Sequence, residues 1–316
     1  MKKSAVVTGG AGFIGSHFVD KLVKEGWQVT VIDNLFSGFE KNLAQHKNNI
    51  KFLKGSITDK EIVSSAISEG DTVWHFAAMN SVPRSIELPV ETNEVNVNGT
   101  LNILVAAREN GAKRVIYSGS SSAYGDSNKE VKDESLPPHP ISPYGLSKFT
   151  GEEYCRLFSS IYGLETATLR YFNVFGPRQN PSSPYSAVIP LFINGLLKDE
   201  SIKIFGDGLQ SRDFTYVDNV VEANFLAGTK EKIHYGSYNV ACGDSISLLD
   251  ILTKLSKITG YDFKVNYEPK RIGDIKTSRA SIEKIGRNLG YKPVVSFDEG
   301  LIKALDWYKT NMDYFL

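Results

Sequence analysis

Cysteine is almost missing from this chain: Cys155 and Cys242 are the two thiols among 316 residues. Two thiols exclude a disulfide scaffold and a cysteine-built zinc cage. No charge of either sign is in excess, since 36 Lys+Arg stand against 36 Asp+Glu. A neutral chain carries no long-range field for nucleic acid or an anionic membrane, so an anionic ligand must be met by a few local cations. Long apolar runs are also lacking; none approaches the roughly 18 residues of a membrane span. Lys2-Lys3 leads into a short strand and a glycine loop, without the pattern of a signal peptide. The five histidines are scattered, no His-Glu-x-x-His occurs, and no Gly-x-x-x-x-Gly-Lys-Ser/Thr run exists. The expectation is a soluble, reduced, cytoplasmic protein with no metal site and no P-loop.

What is present is an ordinary globular balance, 41% hydrophobic and 23% charged, long enough for one large domain or two of common size. The first half alternates. Apolar runs at Ser4–Thr8, Gln28–Asp33, Ile50–Lys54, Thr72–His75, Arg114–Ser118 and Glu165–Tyr171 predict strands. Helical patterns lie between them at Phe13–Glu25, Asp59–Ser68, Asn93–Asn110 and Ser142–Tyr162, the last entered through Pro143. This alternation predicts an α/β fold: a Rossmann-type, doubly wound parallel sheet over residues 1–173. Beyond Asn173 the segments shorten, with loop signals at Gly176-Pro177 and Asn180–Pro184. Helices are predicted near Ala187–Lys198, Asp218–Thr229, Ser247–Thr259 and Asp298–Asn311, and strands near Ile202–Phe205, Tyr238–Val240 and Lys264–Tyr267. Residues 174–316 are read as a smaller α/β lobe, from which the chain returns once to the large sheet.

Two motifs carry chemistry. Gly9, Gly12 and Gly15 link the first strand to the first helix with the spacing of a dinucleotide turn. Glycine permits the tight turn and the close approach of backbone to a pyrophosphate, and the helix N-terminus offers free N–H groups. Asp33 ends the second strand, where a carboxylate accepts from the adenosine ribose hydroxyls and repels a 2′-phosphate, which favours NAD over NADP. Farther on, Tyr144 and Lys148 stand four apart on a predicted helix and share one face. An ammonium beside a phenol favours phenolate and predicts a lowered tyrosine pKa. A serine cluster, Ser118-Gly119-Ser120-Ser121-Ser122, ends the fifth strand at the sheet edge where ligands bind. His75, at a strand end, reads as structural.

The glycine turn, Asp33, His75-Phe76-Ala77-Ala78, Asn96-Val97-Asn98-Gly99-Thr100, the serine cluster, Tyr144/Lys148 and Arg170-Tyr171-Phe172-Asn173 follow one another in a specific order. That order resembles the extended short-chain dehydrogenase/reductases, and within them the nucleotide-sugar 4-epimerases acting on UDP-glucose and UDP-N-acetylglucosamine. The resemblance spans essentially the whole chain. It implies reversible inversion at C4 of a UDP-hexose through a transient 4-keto sugar, with tightly held NAD, and a homodimer formed through the helices Asn93–Asn110 and Ser142–Tyr162.

The resemblance also implies roles. Tyr144 would be the acid/base, Lys148 its electrostatic partner and a ribose ligand, and Ser120 the hydroxyl bonded to the sugar 4-hydroxyl. Gly9, Gly12, Phe13 and Ile14 would face the pyrophosphate. Asp33, Asn34, Ser37 and Gly38 would hold the adenosine ribose, and Ser56-Ile57 would flank adenine, although the family usually has an acidic residue where Ser56 stands. Phe76, Ala77, Ala78, Asn96, Ser118 and Phe172 would complete the cofactor site. Asn80 stands where one epimerase branch has lysine. On the substrate side, Asn173 would meet the diphosphate, Ala187-Val188 and Ile204-Phe205 would sandwich uracil, Arg212 and Arg271 would neutralise phosphate, and Asp274 would accept from the uridine ribose. The residue four after that aspartate, Ser278, would be a gate whose small size admits N-acetylated as well as plain sugars.

Two other readings stay open. A lyase (4,6-dehydratase or decarboxylase) would need acidic residues beside Ser120, where this chain has Ser121 and Ser122. A cofactor-sensing protein without activity would not be expected to keep Ser120, Tyr144 and Lys148 together. A UDP-glucuronate 4-epimerase remains a third possibility within the same chemistry.

Overall fold

The structure is a computed structural model that describes residues 3–127, 129–181, 187–269 and 277–315. Arg271 and Asp274 lie outside the described residues. In chain order the strands are β1 Ser4–Thr8, β2 Gln28–Asp33, β3 Ile50–Lys54, β4 Thr72–His75, β5 Arg114–Ser120, β6 Val131–Lys132, β7 Glu165–Tyr171 and β8 Val174–Phe175. They continue as β9 Ile202–Phe205, β10 Ser211–Arg212, β11 Thr215–Tyr216, β12 Ser237–Val240, β13 Ile246–Ser247, β14 Val265–Glu268 and β15 Thr277–Ala280.

Seven strands form one sheet in the order β12-β7-β5-β4-β1-β2-β3. Each of its pairs is parallel, from Ser4↔Gln28 between β1 and β2 to Ser237↔Thr168 between β12 and β7. The Rossmann-type arrangement read from strand–helix alternation is the one observed. β12 comes from far down the chain, so the second half crosses back onto the large sheet.

Period-two alternation divides the core. Val6, Ile32, Val73, Val115 and Tyr117 point to one face and pack with Val63, Ile103, Leu104, Cys155 and Phe158 from the helices Lys60–Ala66, Gly99–Glu109 and Pro143–Tyr162. Ala5, Val7, Val31, Trp74 and Ile116 point to the other and pack with Phe18, Leu22, Val217 and Val220 from the helices Phe13–Lys24 and Val217–Thr229. With both faces covered, the middle positions of the central strands are apolar: Ala5, Val6 and Val7 on β1, Val73 and Trp74 on β4, Val115, Ile116 and Tyr117 on β5. The second cluster continues without a break into the smaller lobe through Ile189, Phe192, Ile204, Ile251, Leu301 and Tyr308. The small lobe is therefore welded to one face of the sheet by shared apolar packing.

Some short elements escape periodicity. Helices Val82–Glu87 and Pro89–Asn93 are too brief to show a helical repeat, and a π turn at Glu94–Asn98 opens the helix expected from Asn93. Among the described residues no helix is long and apolar enough to cross a membrane.

The sheet and the helix Val217–Thr229 are joined by one buried cation. Arg114, at the start of β5, is 0% exposed. Its guanidinium donates to the carbonyls of Ala227 (3.2 Å), Gly228 (3.2 Å), Lys230 (2.6 Å) and Glu231 (3.3 Å), the acceptors left open at that helix end, and pairs with Glu165 at 2.6 Å. Arg114→Met keeps the bulk but strands these carbonyls and a carboxylate. We expect a loss of about 3–5 kcal/mol of unfolding free energy, read by urea titration, with Arg114→Lys falling between the two.

Candidate active site

The first strand divides the winding: the chain runs from β1 outward through β2 to β3, and returns on the other side of β1 through β4 to β5 and β7. At such a switch point the loops leaving the carboxyl ends of the strands part and leave a crevice. A cleft of about 810 Å³ opens there, walled by residues of the glycine turn, the ends of β2, β4 and β5, and the start of the helix Pro143–Tyr162.

The glycine turn admits no side chains. A Cβ on Gly15 would stand 2.2 Å from the Gly9 carbonyl oxygen, and one on Gly9, whose φ is +70°, would stand 2.7 Å from the Ala77 nitrogen. Gly12 is the N-cap of the helix Phe13–Lys24 and no side chain caps it, so its first N–H groups remain available at the cleft. Backbone donors at a helix N-terminus, in a turn stripped of Cβ atoms, fit a pyrophosphate. At the end of β2, Asp33 accepts from the Ala11 N–H (2.9 Å) and the Leu35 N–H (2.8 Å). Burial raises its pKa, and these two N–H groups work in the opposite direction. Asn34, Ser37, Ser56, Ile57, Phe76, Ala77, Ala78 and Ser118 stand on the same wall with Gly9, Gly12, Phe13 and Ile14. These features fit a dinucleotide whose ribose lies at Asp33.

Three residues expected around the cofactor stand behind the wall. Gly38 packs on the backbone of Ala11, where a Cβ would come within 2.8 Å. Asn96 is buried; its amide bonds the Met79 N–H at 2.7 Å, the Met79 carbonyl at 3.0 Å and the Ser147 hydroxyl at 3.0 Å, so it braces the strand end. Phe172 is wholly buried beside Tyr124. His75 is buried between the hydroxyls of Thr8 (2.7 Å) and Thr100 (3.0 Å), and burial lowers its pKa to about 3, so it is neutral.

Tyr144, Lys148 and Ser120 meet in the cleft wall. Ser142 caps the helix N-terminus through the Gly145 N–H, and Ser85 accepts from the Tyr144 N–H at 3.0 Å, which sets the first turn. The Ser120 hydroxyl, which accepts from the Ser122 N–H at 3.1 Å, stands on the same wall as the Tyr144 phenol and favours its ionised form. Lys148 lies one turn on, with its ammonium 4.4 Å from the centre of the Tyr117 ring and only 4% exposed. The lysine was expected to draw the tyrosine pKa down. Instead burial raises the phenol, opposed by the neighbouring Ser120, and lowers Lys148 to about 7. The reason is desolvation: both charged forms lose water in the wall, and in the chain alone this outweighs their mutual effect.

The substrate side is less compact. Asn173 and Ala187 stand on the cleft wall, and the Asn173 amide donates to the Asp213 carbonyl at 3.1 Å. Val188 opens the next helix. Ile204 is wholly buried in the main core, with half-buried Phe205 following it on β9. Arg212, half-buried on β10, pairs with Ser278 on β15; Ser278 is 7% exposed and stands off the wall.

Sequence reasoning overlooked Phe36, Val90, Glu91, Glu94, Val95 and Gln179 on the wall. Phe36 lies within the loop already singled out, and Gln179 lies in the loop after Gly176-Pro177. Glu94 and Val95 directly precede the Asn96-Val97-Asn98 motif on the same π turn, and Val90 and Glu91 sit on the short helix Pro89–Asn93, which carries no motif.

The family model described as "NAD dependent epimerase/dehydratase family" matches residues 5–241. A putative UDP-glucose 4-epimerase of Methanocaldococcus jannaschii is 39% identical over 313 residues, covering 97% of this chain and 98% of that protein. The solved UDP-glucose 4-epimerase of Thermotoga maritima, with UDP-glucose, superposes with a TM-score of 0.92 at 39% identity, covering 98% of this chain and 99% of the other. The UDP-N-acetylglucosamine 4-epimerase of Methanobrevibacter ruminantium, in complex with UDP-N-acetylmuramic acid, gives 0.94 at 41% identity, with 99% and 100% covered.

The buried lysine makes stability depend on pH. Its pKa falls from 10.5 to about 7 on folding, so between these values the unfolded chain holds more protons than the folded one. Stability contributed by this site therefore rises with pH across that window, and below it the burial penalty is full. Lys148→Met should melt higher than the parent chain at pH 6–7, and the gap should close as pH approaches 10. A gap that stays constant across pH would show that Lys148 is not buried as a charge.

Proposed function

The chain belongs to the NAD dependent epimerase/dehydratase family, and from that premise we propose that it inverts C4 of a UDP-hexose, interconverting UDP-glucose with UDP-galactose and also the N-acetylated pair. NAD, when bound, supplies reversible acceptance of hydride, which makes C4 trigonal as a 4-keto sugar and lets it be reduced on the other face. The chain's residues position the sugar and move the proton. Tyr144 takes the proton of the 4-hydroxyl and gives it back; Ser120, beside the phenol on the same wall, offers the sugar a second hydrogen bond. Lys148, buried one turn from Tyr144, favours the phenolate once the cleft is filled and the ammonium is engaged by a ribose. Asn173, Arg212 and Arg271 would meet the diphosphate, and Ala187 with Val188 one side of the uracil.

The observation that carries this reading is the wall beside Ser120. The residues adjoining it there are Ser121 and Ser122, which have no ionisable side chain. The carboxylates on the wall are set on other elements: Asp33 ends β2, and Glu91 and Glu94 lie on the short helical turns packed beside the helix Pro143–Tyr162. A dehydratase or decarboxylase needs an acid or base next to the reacting carbons; an epimerase needs the tyrosine and a hydroxyl.

Pairing into a homodimer is supported by apolar side chains left outside: Leu146, Ile161 and Tyr162 on the helix Pro143–Tyr162, and Val90, 80% exposed, on its neighbour. The two free cysteines suit a reducing cytoplasm.

Product NMR with UDP-glucose, UDP-N-acetylglucosamine and UDP-glucuronate, without added NAD, tests the reaction. Epimers are expected from the first two, whereas dehydrated or decarboxylated products would replace this reading with a lyase. Tyr144→Phe should lower turnover about 10²–10⁴-fold while calorimetric binding of the UDP-sugar persists; a two- or threefold loss would remove Tyr144 from the role.

Ser278→Tyr should abolish turnover of the acetylated sugar and spare UDP-glucose. Steric overlap in a packed site is costly, whereas spare room fills with water. Equal effects on both sugars would exclude Ser278 as a gate.

A further inference from the structure

The glycine turn is held from behind by a segment at the far end of the described chain. Ala11, within the turn, donates its N–H to Asp33 at 2.9 Å. Its carbonyl accepts twice, from the Phe39 N–H at 3.0 Å and from the Asn42 side-chain amide at 2.7 Å. Asn42 is 1% exposed and sits on the short 3₁₀ helix Glu40–His46, directly after the ribose loop. Its remaining acceptor, Oδ1, takes the hydroxyl of Tyr314 at 2.5 Å.

Tyr314 is itself fixed on three sides. Its ring stands 5.0 Å from Trp307 and 5.3 Å from Phe315, and the Lys41 ammonium lies 4.5 Å from its centre. Phe315 packs on Phe39 at 5.8 Å, beside the same turn. The helix Phe297–Thr310 that precedes this segment bonds, through the Tyr308 hydroxyl, to the carbonyl of Gln179 on the cleft wall. The helix Phe297–Thr310 thus meets the cleft wall at Gln179, and the segment Asn311–Phe315 that follows it reaches the back of the glycine turn. It lies outside the 5–241 match to the family model.

We propose that Tyr314 is a positioning residue of the cofactor site: by orienting the Asn42 amide it fixes the Ala11 carbonyl and with it the geometry of the glycine turn that receives the pyrophosphate. The inference rests on the reading of that turn as the NAD site. The physical reason is directional. An amide rotated by half a turn presents its oxygen to the Ala11 carbonyl, two acceptors facing each other. The phenol is a donor here and selects the orientation in which NH₂ faces Ala11. Burial makes the wrong orientation costly, because no water can substitute for the lost bond.

The test uses the purified chain with the NAD it carries. Tyr314→Phe removes one hydroxyl and keeps the ring, its packing and the Lys41 contact. Dissociation of bound NAD, followed by transfer to an excess of a scavenging dehydrogenase, should accelerate about five- to tenfold, the factor for one buried hydrogen bond, with the UDP-sugar KM unmoved. Asn42→Ala should accelerate it at least as much, and adding Tyr314→Phe to Asn42→Ala should change nothing further. Dissociation within twofold of the parent in Tyr314→Phe would overturn the proposal. So would an effect of Tyr314→Phe that persists in the Asn42→Ala background, which would place its action elsewhere. A parent chain that carries no NAD at all would instead overturn the cofactor reading, a distinct failure that the NAD content of the purified protein reports first.

Discussion

A parallel sheet buried on both faces puts a cost on every polar side chain there, and the rest of this molecule follows from that. The central strands are filled with Val, Ile, Ala and buried aromatics, split by alternation into two clusters. Chemistry is displaced to the strand ends, where backbone leaves the ladder and donors and acceptors become available. Gly9, Asp33, His75 and Ser120 occupy or follow the carboxyl ends of β1, β2, β4 and β5 in turn. The crevice is therefore a consequence of the winding, and the residues around it are what the winding leaves over.

Burial also sets the electrostatics. The chain has no net charge and no acidic or basic field, so each ionisable group in the site is tuned by what touches it. His75, held between two threonine hydroxyls, stays neutral and serves as a spacer. Lys148 is placed where burial opposes its charge, against the Tyr117 ring. Its desolvation costs stability that a solvated lysine would not lose. Farther out, Arg114 shows the other use of burial, where a charge met by four carbonyls and the Glu165 carboxylate locks a helix onto the sheet.

The two lobes are one packing unit. Apolar residues of the second half continue the cluster on one sheet face, β12 completes the sheet edge, and the segment Asn311–Phe315 returns to the glycine turn. A change in the small lobe can therefore reach the cofactor turn through contacts no longer than a hydrogen bond.

Sequence alone determined the parallel sheet, its six strands in the first half, and the pieces of the site that are local: the glycine turn, Asp33 at a strand end, Tyr144 and Lys148 on one helix face. These depend on periodicity of two or four residues and on glycine's lack of a Cβ, properties a short window carries. It also located the strand that became β12, but not where in the sheet it pairs. Tertiary structure decided what depends on burial or on distant partners. It set the sign of the Tyr144 and Lys148 shifts, because desolvation is invisible in a window and outweighs their proximity. It placed Asn96, Gly38 and Phe172 behind the wall, and brought Glu91, Glu94 and Gln179 onto it. It joined Tyr314 to Asn42 across 272 positions of chain. A hydrogen bond at that separation leaves no periodic trace, since its partners are neighbours only after the sheet has closed and the second half has packed against it.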